Sequence, residues 1–338
     1  PYFAQLSMKL KDIKITMLGT TGAGKTSYLL GMYAAMQSGM RGFTLSAKDI
    51  DLDLELTERW EQLISIEGAD RWPPPNAGVV EHCFFDFNYG FRPIMSFEWI
   101  DYRGLALSDR SNEQDVQELS QYLSDSECVF LTISGEYLQN QVTPTTVREI
   151  KSDRMNQFLQ QYISNKYRPT TNKPFPIAIL ITKYDLCHHR KKEEVIEDIK
   201  KLFQALFTPD SGWLVMICPV SLGKELEADT DSGMIVPVNV HLPVVFAVYS
   251  QLRAYGLTIK GRRVVLTENI EKNKQLNPVL RWLKRREKRH QLNQLEISNE
   301  EINLIESNMQ LLAQELQQVS LFVGGNEVTA EVTADVQT

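Results

Sequence analysis

The chain has 338 residues, 43% of them hydrophobic and 23% charged, enough for one α/β domain of roughly 250 residues with an appendage. A net charge of -7 excludes a whole-molecule field that gathers nucleic acid or anionic lipid, so any such contact has to be local. Cys83, Cys128, Cys187 and Cys218 show no CxxC spacing and three lie in apolar runs, which reads as reduced core residues and a cytoplasmic chain. No apolar run approaches the roughly 20 residues that span a bilayer, and residues 1–11 lack the layout of a secretory signal.

The predicted elements begin with a short β-rich run at 13–18 that ends in a glycine turn and feeds an apolar helix at 25–37. A helix over 49–66 carries Leu52, Leu54, Leu56, Trp60, Leu63 and Ile64 on one face. Arg71-Trp72-Pro73-Pro74-Pro75-Asn76 is a loop, because each proline removes a backbone donor; Trp72 reads either as a lid or as a packed anchor. Runs at 81–87 and 94–100 flank Asn88-Tyr89-Gly90 as an antiparallel hairpin. Beyond Asp101 the pattern alternates: helix 113–123, strand 128–133, helix 146–164, strand 177–181, helix 193–206, strand 214–220 and helix 244–255. That alternation predicts an α/β fold with a mainly parallel sheet covered by helices on both faces. The expected organisation is a domain at 1–256, a helical extension at 257–320 and a low-complexity, disordered tail at 321–338, the tail marked by Val328-Thr329-Ala330-Glu331 and its near-repeat.

Gly19-Thr20-Thr21-Gly22-Ala23-Gly24-Lys25-Thr26 fits GxxxxGK[ST] in full between a predicted strand and a predicted helix. Phosphate needs several converging donors. The small residues let the backbone N–H groups from about Gly22 to Ser27 curl around it, Lys25 reaches the terminal phosphates, and the Thr26 hydroxyl ligates Mg²⁺. A ligand-free glycine-rich helix entry is the bland alternative, and the full match in context argues against it.

A second acidic element follows the hairpin. Asp101-Tyr102-Arg103-Gly104 places a carboxylate to hold Mg²⁺ through water, and the Gly104 N–H to sense the γ-phosphate. DxxG alone is a weak pattern; its position strengthens it. The third element decides the base. The strand at 177–181 runs into Thr182-Lys183-Tyr184-Asp185, where a carboxylate accepts from guanine N1 and N2 and a lysine stem covers the ring. Adenine lacks that donor pair, so such a site rejects ATP. Finally, Cys218-Pro219-Val220-Ser221-Leu222-Gly223 ends the next strand, where a backbone N–H near Leu222 would meet the guanine O6.

In this order and spacing the four motifs resemble the Ras-like GTPases of the translation-factor-related (TRAFAC) P-loop class, over about residues 11–256. The resemblance implies GTP/GDP and Mg²⁺ as ligands and a nucleotide-dependent switch, with Thr182 in the first place of the family's [NT]KxD element. The proline-rich loop and the long helical insert are more similar to the bacterial double-GTPase conflict-system families than to eukaryotic small GTPases.

Two positions depart from the family. Where it places a threonine before the hairpin to close over Mg²⁺, this chain has Asn76; where many relatives carry a glutamine after DxxG, it has Leu105. Leucine cannot orient water, so intrinsic hydrolysis is expected to be slow unless Arg103, Asp109, Arg110, Glu113 or a partner supplies positioning and charge. Three readings therefore stand: a GTP-hydrolysing switch with a partner or self-association read by the switch regions and C-terminal helices, a GTP-binding scaffold with negligible hydrolysis, and a P-loop ATPase or kinase in which Asp185 is structural.

Weaker features have bland alternatives. The basic run 281–290, RWLKRREKRH, could touch lipid, nucleic acid or an acidic partner, but a solvated face is the commoner outcome. Leu304, Ile305, Met309, Leu311, Leu312, Leu316 and Val319 recur at near-helical spacing and suit packing. Cys187-His188-His189 with Glu193 reads as surface or capping before it reads as a metal site.

Overall fold

The computed structural model describes residues 12–65, 71–73, 81–102, 107, 113–163, 173–223, 235–274 and 285–330. Asn76, Arg103, Gly104, Leu105, Asp109, Arg110 and the tail from 331 lie outside them, as do residues 281–284 of the basic run.

The chain divides into two compact units, one of residues 1–247 and 318–329, the other of 248–317 and 330–338. In the first, the described strands form one sheet in the order β2-β3-β4-β1-β5-β6-β7-β8-β9. These are β1 (Ile13–Leu18), β2 (Phe43–Ala47), β3 (Glu81–Tyr89), β4 (Arg92–Asp101), β5 (Cys128–Ser134), β6 (Phe175–Thr182), β7 (Trp213–Pro219), β8 (Ser320–Val323) and β9 (Asn326–Val328). The sheet is mixed, which corrects the expectation of a mainly parallel one. Strands β4, β1, β5, β6 and β7 run parallel, while β2 and β3 on one side and β8 and β9 on the other pair antiparallel.

The physical reason lies in how each strand is reached. Parallel neighbours need a crossover, and the helices α1 (Lys25–Gln37), α2 (Ile50–Ser65), α3 (Glu113–Asp125), α4 (Pro144–Ile150), α5 (Ser152–Phe158) and α6 (Lys192–Leu202) lie along the chain between successive strands. Antiparallel neighbours can be joined by a tight turn, as β3–β4 and β8–β9 are, whereas the β2–β3 and β7–β8 pairs are joined by longer segments that contain helices. The β3–β4 turn is Gly90-Phe91, both residues at positive φ (52° and 61°), the geometry of a two-residue turn matched to strand twist. The strands consequently extend to Tyr89 and from Arg92, past the predicted Asn88-Tyr89-Gly90 turn. Strands β5 and β6 are buried at every residue, which is why they read as continuous apolar runs rather than alternating ones.

The structure departs from the sequence reading at three further points. Strand β2 lies between two predicted helices, where no element was expected; five residues, two of them buried, give too short an alternation to read. Residues 320–328, placed almost wholly in the disordered tail, form the β8–β9 hairpin. Leu321 and Phe322 are buried, Phe322 meeting the Phe207 ring at 5.5 Å between centroids and the Lys200 ammonium at 4.9 Å. The predicted single helix at 146–164 is broken at Lys151, whose left-handed φ of 59° separates α4 from α5.

The second unit is built on helices. α7 (Leu242–Lys274) runs through Gly256 without a break. α8 (Arg285–Leu316) includes the described end of the basic run. Lys260 Nζ and Glu306 Oε1 are paired at 3.2 Å. Of the predicted apolar stripe, Ile305, Met309, Leu312 and Leu316 are buried, as is Val319 beyond the helix, whereas Leu304 and Leu311 are half-buried.

Candidate nucleotide site

The central strands end together along one edge of the sheet. Met17 of β1 is level with Asp101 of β4, Leu18 with Leu131 of β5, Ser134 with Thr182 of β6, and Ile181 with Pro219 of β7. After β1 the chain builds the sheet to one side through β2, β3 and β4, then to the other through β5, β6 and β7. The crevice at the end of β1 is thus a topological switch point, where open α/β sheets hold ligands.

The loop that leaves β1 is the GxxxxGKT segment. Gly22 and Gly24 have φ of 81° and 82°, a region L side chains avoid, and Gly24 caps α1. A side chain on Gly19 would lie 3.0 Å from Thr132 Cβ and from its carbonyl oxygen. Thr182 ties this loop to the base motif, its hydroxyl donating to the Ala23 carbonyl at 2.6 Å and to the Ile133 carbonyl at 3.2 Å. Lys25 is buried, with its ammonium donating to the carbonyls of Gly19 at 2.9 Å and Thr20 at 3.2 Å. Burial lowers its pKa, and the Asp101 carboxylate pushes back upward. A cation desolvated inside a glycine loop and held by carbonyls is suited to receive phosphate oxygens. Ser27 follows in the first turn of α1, half-buried.

Thr26 Oγ1 donates to Asp101 Oδ2 at 3.5 Å. Two oxygen donors at this separation, one of them a buried carboxylate, fit a hard divalent cation that keeps waters and shares phosphate oxygens. Asn76, the third metal candidate, and the catalytic candidates Arg103 and Gly104 lie outside the described residues, so the geometry brings Thr26 and Asp101 together and leaves these three unplaced.

The residues expected to read the base converge from two strand ends. Lys183 turns the chain off β6 with a left-handed φ of 49°, and Tyr184 N–H donates to the Val220 carbonyl at 3.3 Å. The half-buried Asp185 accepts from the Ser221 hydroxyl, 2.8 Å from its Oδ1, and Ser221 Oγ accepts from the Gly223 N–H at 3.1 Å. Leu222 reaches back onto α1, where a side chain on Gly31 would come within 2.2 Å of Leu222 Cδ2. The Tyr28 hydroxyl donates to the Val240 carbonyl at 2.8 Å, and Ser221 bridges to Val238. Helix α1 and the loops after β6 and β7 are therefore locked to one another.

Sequence reasoning missed Ser134 and Glu136. Glu136 Oε2 accepts from Lys183 Nζ at 2.9 Å and from Ser134 Oγ at 2.8 Å. The signal was available in part: a Ser-Gly-Glu triplet closing an apolar strand is a capping pattern, and Ser134 does accept from the Glu136 N–H. Cys187 is buried with its thiol pushed up to about 11 by burial. His188 pairs with the Asp185 carbonyl and His189 with the Gln139 carbonyl at 3.1 Å. Among the described residues no group of three or more His, Cys, Asp or Glu is arranged to hold a metal ion, and no helix is long and apolar enough to cross a membrane.

No protein-family model and no curated protein matches this chain. It is similar to solved structures at low identity. One is a GTP-binding protein from the hyperthermophilic archaeon Sulfolobus solfataricus in complex with GDP, at 15% identity and a TM-score of 0.32, covering 62% of this chain and 46% of that one. The S. cerevisiae Ski7 GTPase-like domain bound to GTP gives 15% and 0.41, covering 68% and 47%. The same domain bound to GDP and inorganic phosphate gives 16% and 0.42, again covering 68% and 47%. The chain thus spans about half the length of these structures, and a likeness at such scores carries no functional inference by itself.

Proposed function

We propose that this chain binds GTP and GDP with Mg²⁺ and works as a Ras-like P-loop GTPase switch whose unassisted hydrolysis is slow. The observation that carries the reading is the Asp185 carboxylate, fixed by the Ser221 hydroxyl on the sheet edge that also carries Lys25 and Asp101. A carboxylate held there offers two acceptor oxygens to a ring that presents adjacent N–H donors, which guanine does and adenine does not.

The remaining roles follow from chemistry. Gly19, Gly22, Ala23, Gly24 and Ser27 offer backbone to the phosphates, Lys25 adds a buried positive charge, and Thr182 keeps the loop against β6. Thr26 and Asp101 would hold Mg²⁺, with Asn76 as a further oxygen donor; the ion would supply charge neutralisation on the phosphates. Leu222 and its neighbours close the base side. Gly104 would sense the γ-phosphate, and Arg103 would stabilise charge.

Leu105 favours a second reading, a GTP-binding scaffold with negligible turnover, because leucine cannot orient a water. The domain roles, the conflict-system affinity and a partner read by the switch segments and C-terminal helices belong to the same proposal. Competition of GTP and ATP for the nucleotide-free protein tests the base assignment. GTP is expected to win by about 10³ or more, and ATP competing within tenfold overturns it. Single-turnover hydrolysis at rising protein concentration then separates a self-activated switch from a scaffold.

A further inference from the structure

We propose that Glu136 is a positioning residue of the base site, whose carboxylate pins the Lys183 side chain so that its stem lies ready to cover a purine face. This rests on the guanine-nucleotide reading above and adds a residue outside all four motifs.

A free lysine stem samples many rotamers, and immobilising it on a ligand costs up to about 2 kcal/mol in entropy. Here the stem starts from a left-handed Lys183 backbone, which fixes its exit direction, and ends on Glu136 Oε2 at 2.9 Å. The carboxylate is itself restrained. Ser134 Oγ donates to the same oxygen at 2.8 Å and receives the Glu136 N–H at 3.4 Å. Burial pushes the Glu136 carboxyl up, but hydrogen bonds from Lys183 and Ser134 more than offset this and leave it below its ordinary value, so it is ionised at neutral pH.

The segment that carries Glu136 is docked independently of the ion pair. Gly135 sits where a Cβ would come within 2.4 Å of the Lys183 carbonyl oxygen, so only glycine allows the approach. Arg190, in the loop after the base motif, donates through Nη1 to the carbonyls of Leu138 and Asn140, each at 2.9 Å. Its Nη2 pairs with the buried Asp198 at 2.9 Å, and His189 adds the Gln139 carbonyl. An isolated surface pair contributes little because both side chains must be ordered to form it. In this one the backbones on both sides are already fixed, so the ordering cost is met by folding rather than by the ligand.

The test is a double-mutant cycle read by GDP affinity and dissociation rate. Glu136→Gln should weaken GDP about three- to fivefold, the size of one exposed ion pair, mainly through faster dissociation. Inosine diphosphate should weaken by the same factor, because the stem covers the ring and does not read the exocyclic amine. In a Lys183→Ala background, where no stem remains to be positioned, Glu136→Gln should change nothing further. The urea midpoint of the nucleotide-free Glu136→Gln protein should match wild type, since the pair is 47% and 40% exposed on its two sides. Wild-type affinity in Glu136→Gln, or an equal loss in the Lys183→Ala background, overturns the positioning role. Wild-type protein that binds ADP as well as GDP instead overturns the underlying base reading.

Discussion

Ser221→Ala is the most direct probe of how the base site is built, because its hydroxyl makes two bonds with separable consequences. It donates to Asp185 at 2.8 Å and accepts from the Gly223 N–H at 3.1 Å. A hydrogen bond to a charged group contributes about 1.5–3 kcal/mol. Asp185 is half-buried, so water replaces part of that loss, and about 1–2 kcal/mol should appear in ligand binding, roughly a 5- to 30-fold weaker GDP complex. The Gly223 N–H lies in a buried bond and would be stranded, costing about 1–3 kcal/mol of stability in the nucleotide-free protein. Titration with GDP in excess Mg²⁺ reads the first effect and urea unfolding without nucleotide reads the second, while Ser221→Thr, which keeps the hydroxyl, should recover most of the affinity. GDP affinity within twofold of wild type would refute the reasoning, because Asp185 would then be performing its task without its anchor. Lost stability with affinity retained would reduce Ser221 to a turn residue.

Four other outcomes are expected. Lys25→Met should weaken GDP by about a hundredfold or more, since it removes a charge-assisted contact to phosphate, as measured by the same titration. Burial lowers the Lys25 pKa below its ordinary 10.5, so the unfolded chain holds the proton more tightly than the folded one. The stability of nucleotide-free wild type relative to Lys25→Met should therefore rise with pH in the window just below 10.5, and a flat difference in urea unfolding would contradict this. Thr26→Ala and Asp101→Asn should make GDP release insensitive to a Mg²⁺ chelator, whereas chelation should accelerate release from wild type. Phe322→Ala, which empties a buried aromatic site on β8, should cost about 3–5 kcal/mol in urea unfolding; a loss below 1 kcal/mol would show that the hairpin is dispensable to the sheet.

The conformation of the loop proposed to hold phosphate was legible because it is local. Gly22, Gly24, Lys25 and Thr26 are neighbours in sequence, and a strand–loop–helix context is all that their conformation requires. Asp101 and Asp185 were legible for a related reason: each sits where an apolar strand ends, so the strand pattern itself marks the position. Strand β2 was hidden by its brevity, and β8 and β9 by a composition that reads as a tail. Nothing local distinguishes Phe322 from a residue in solvent, because its burial is created by Phe207 and Lys200 from more than a hundred residues earlier.

By itself, then, the amino-acid order determined the glycine loop between β1 and α1 and which carboxylates stand at strand ends, since those depend on spacing along one chain segment. Only the tertiary structure decided that Ser221 holds Asp185, that Leu222 packs on Gly31, that Glu136 holds Lys183 and that the sheet is extended by antiparallel strands on both sides. These are meetings of residues from different strands, and their register is set by the burial of the whole sheet rather than by any pattern within one segment.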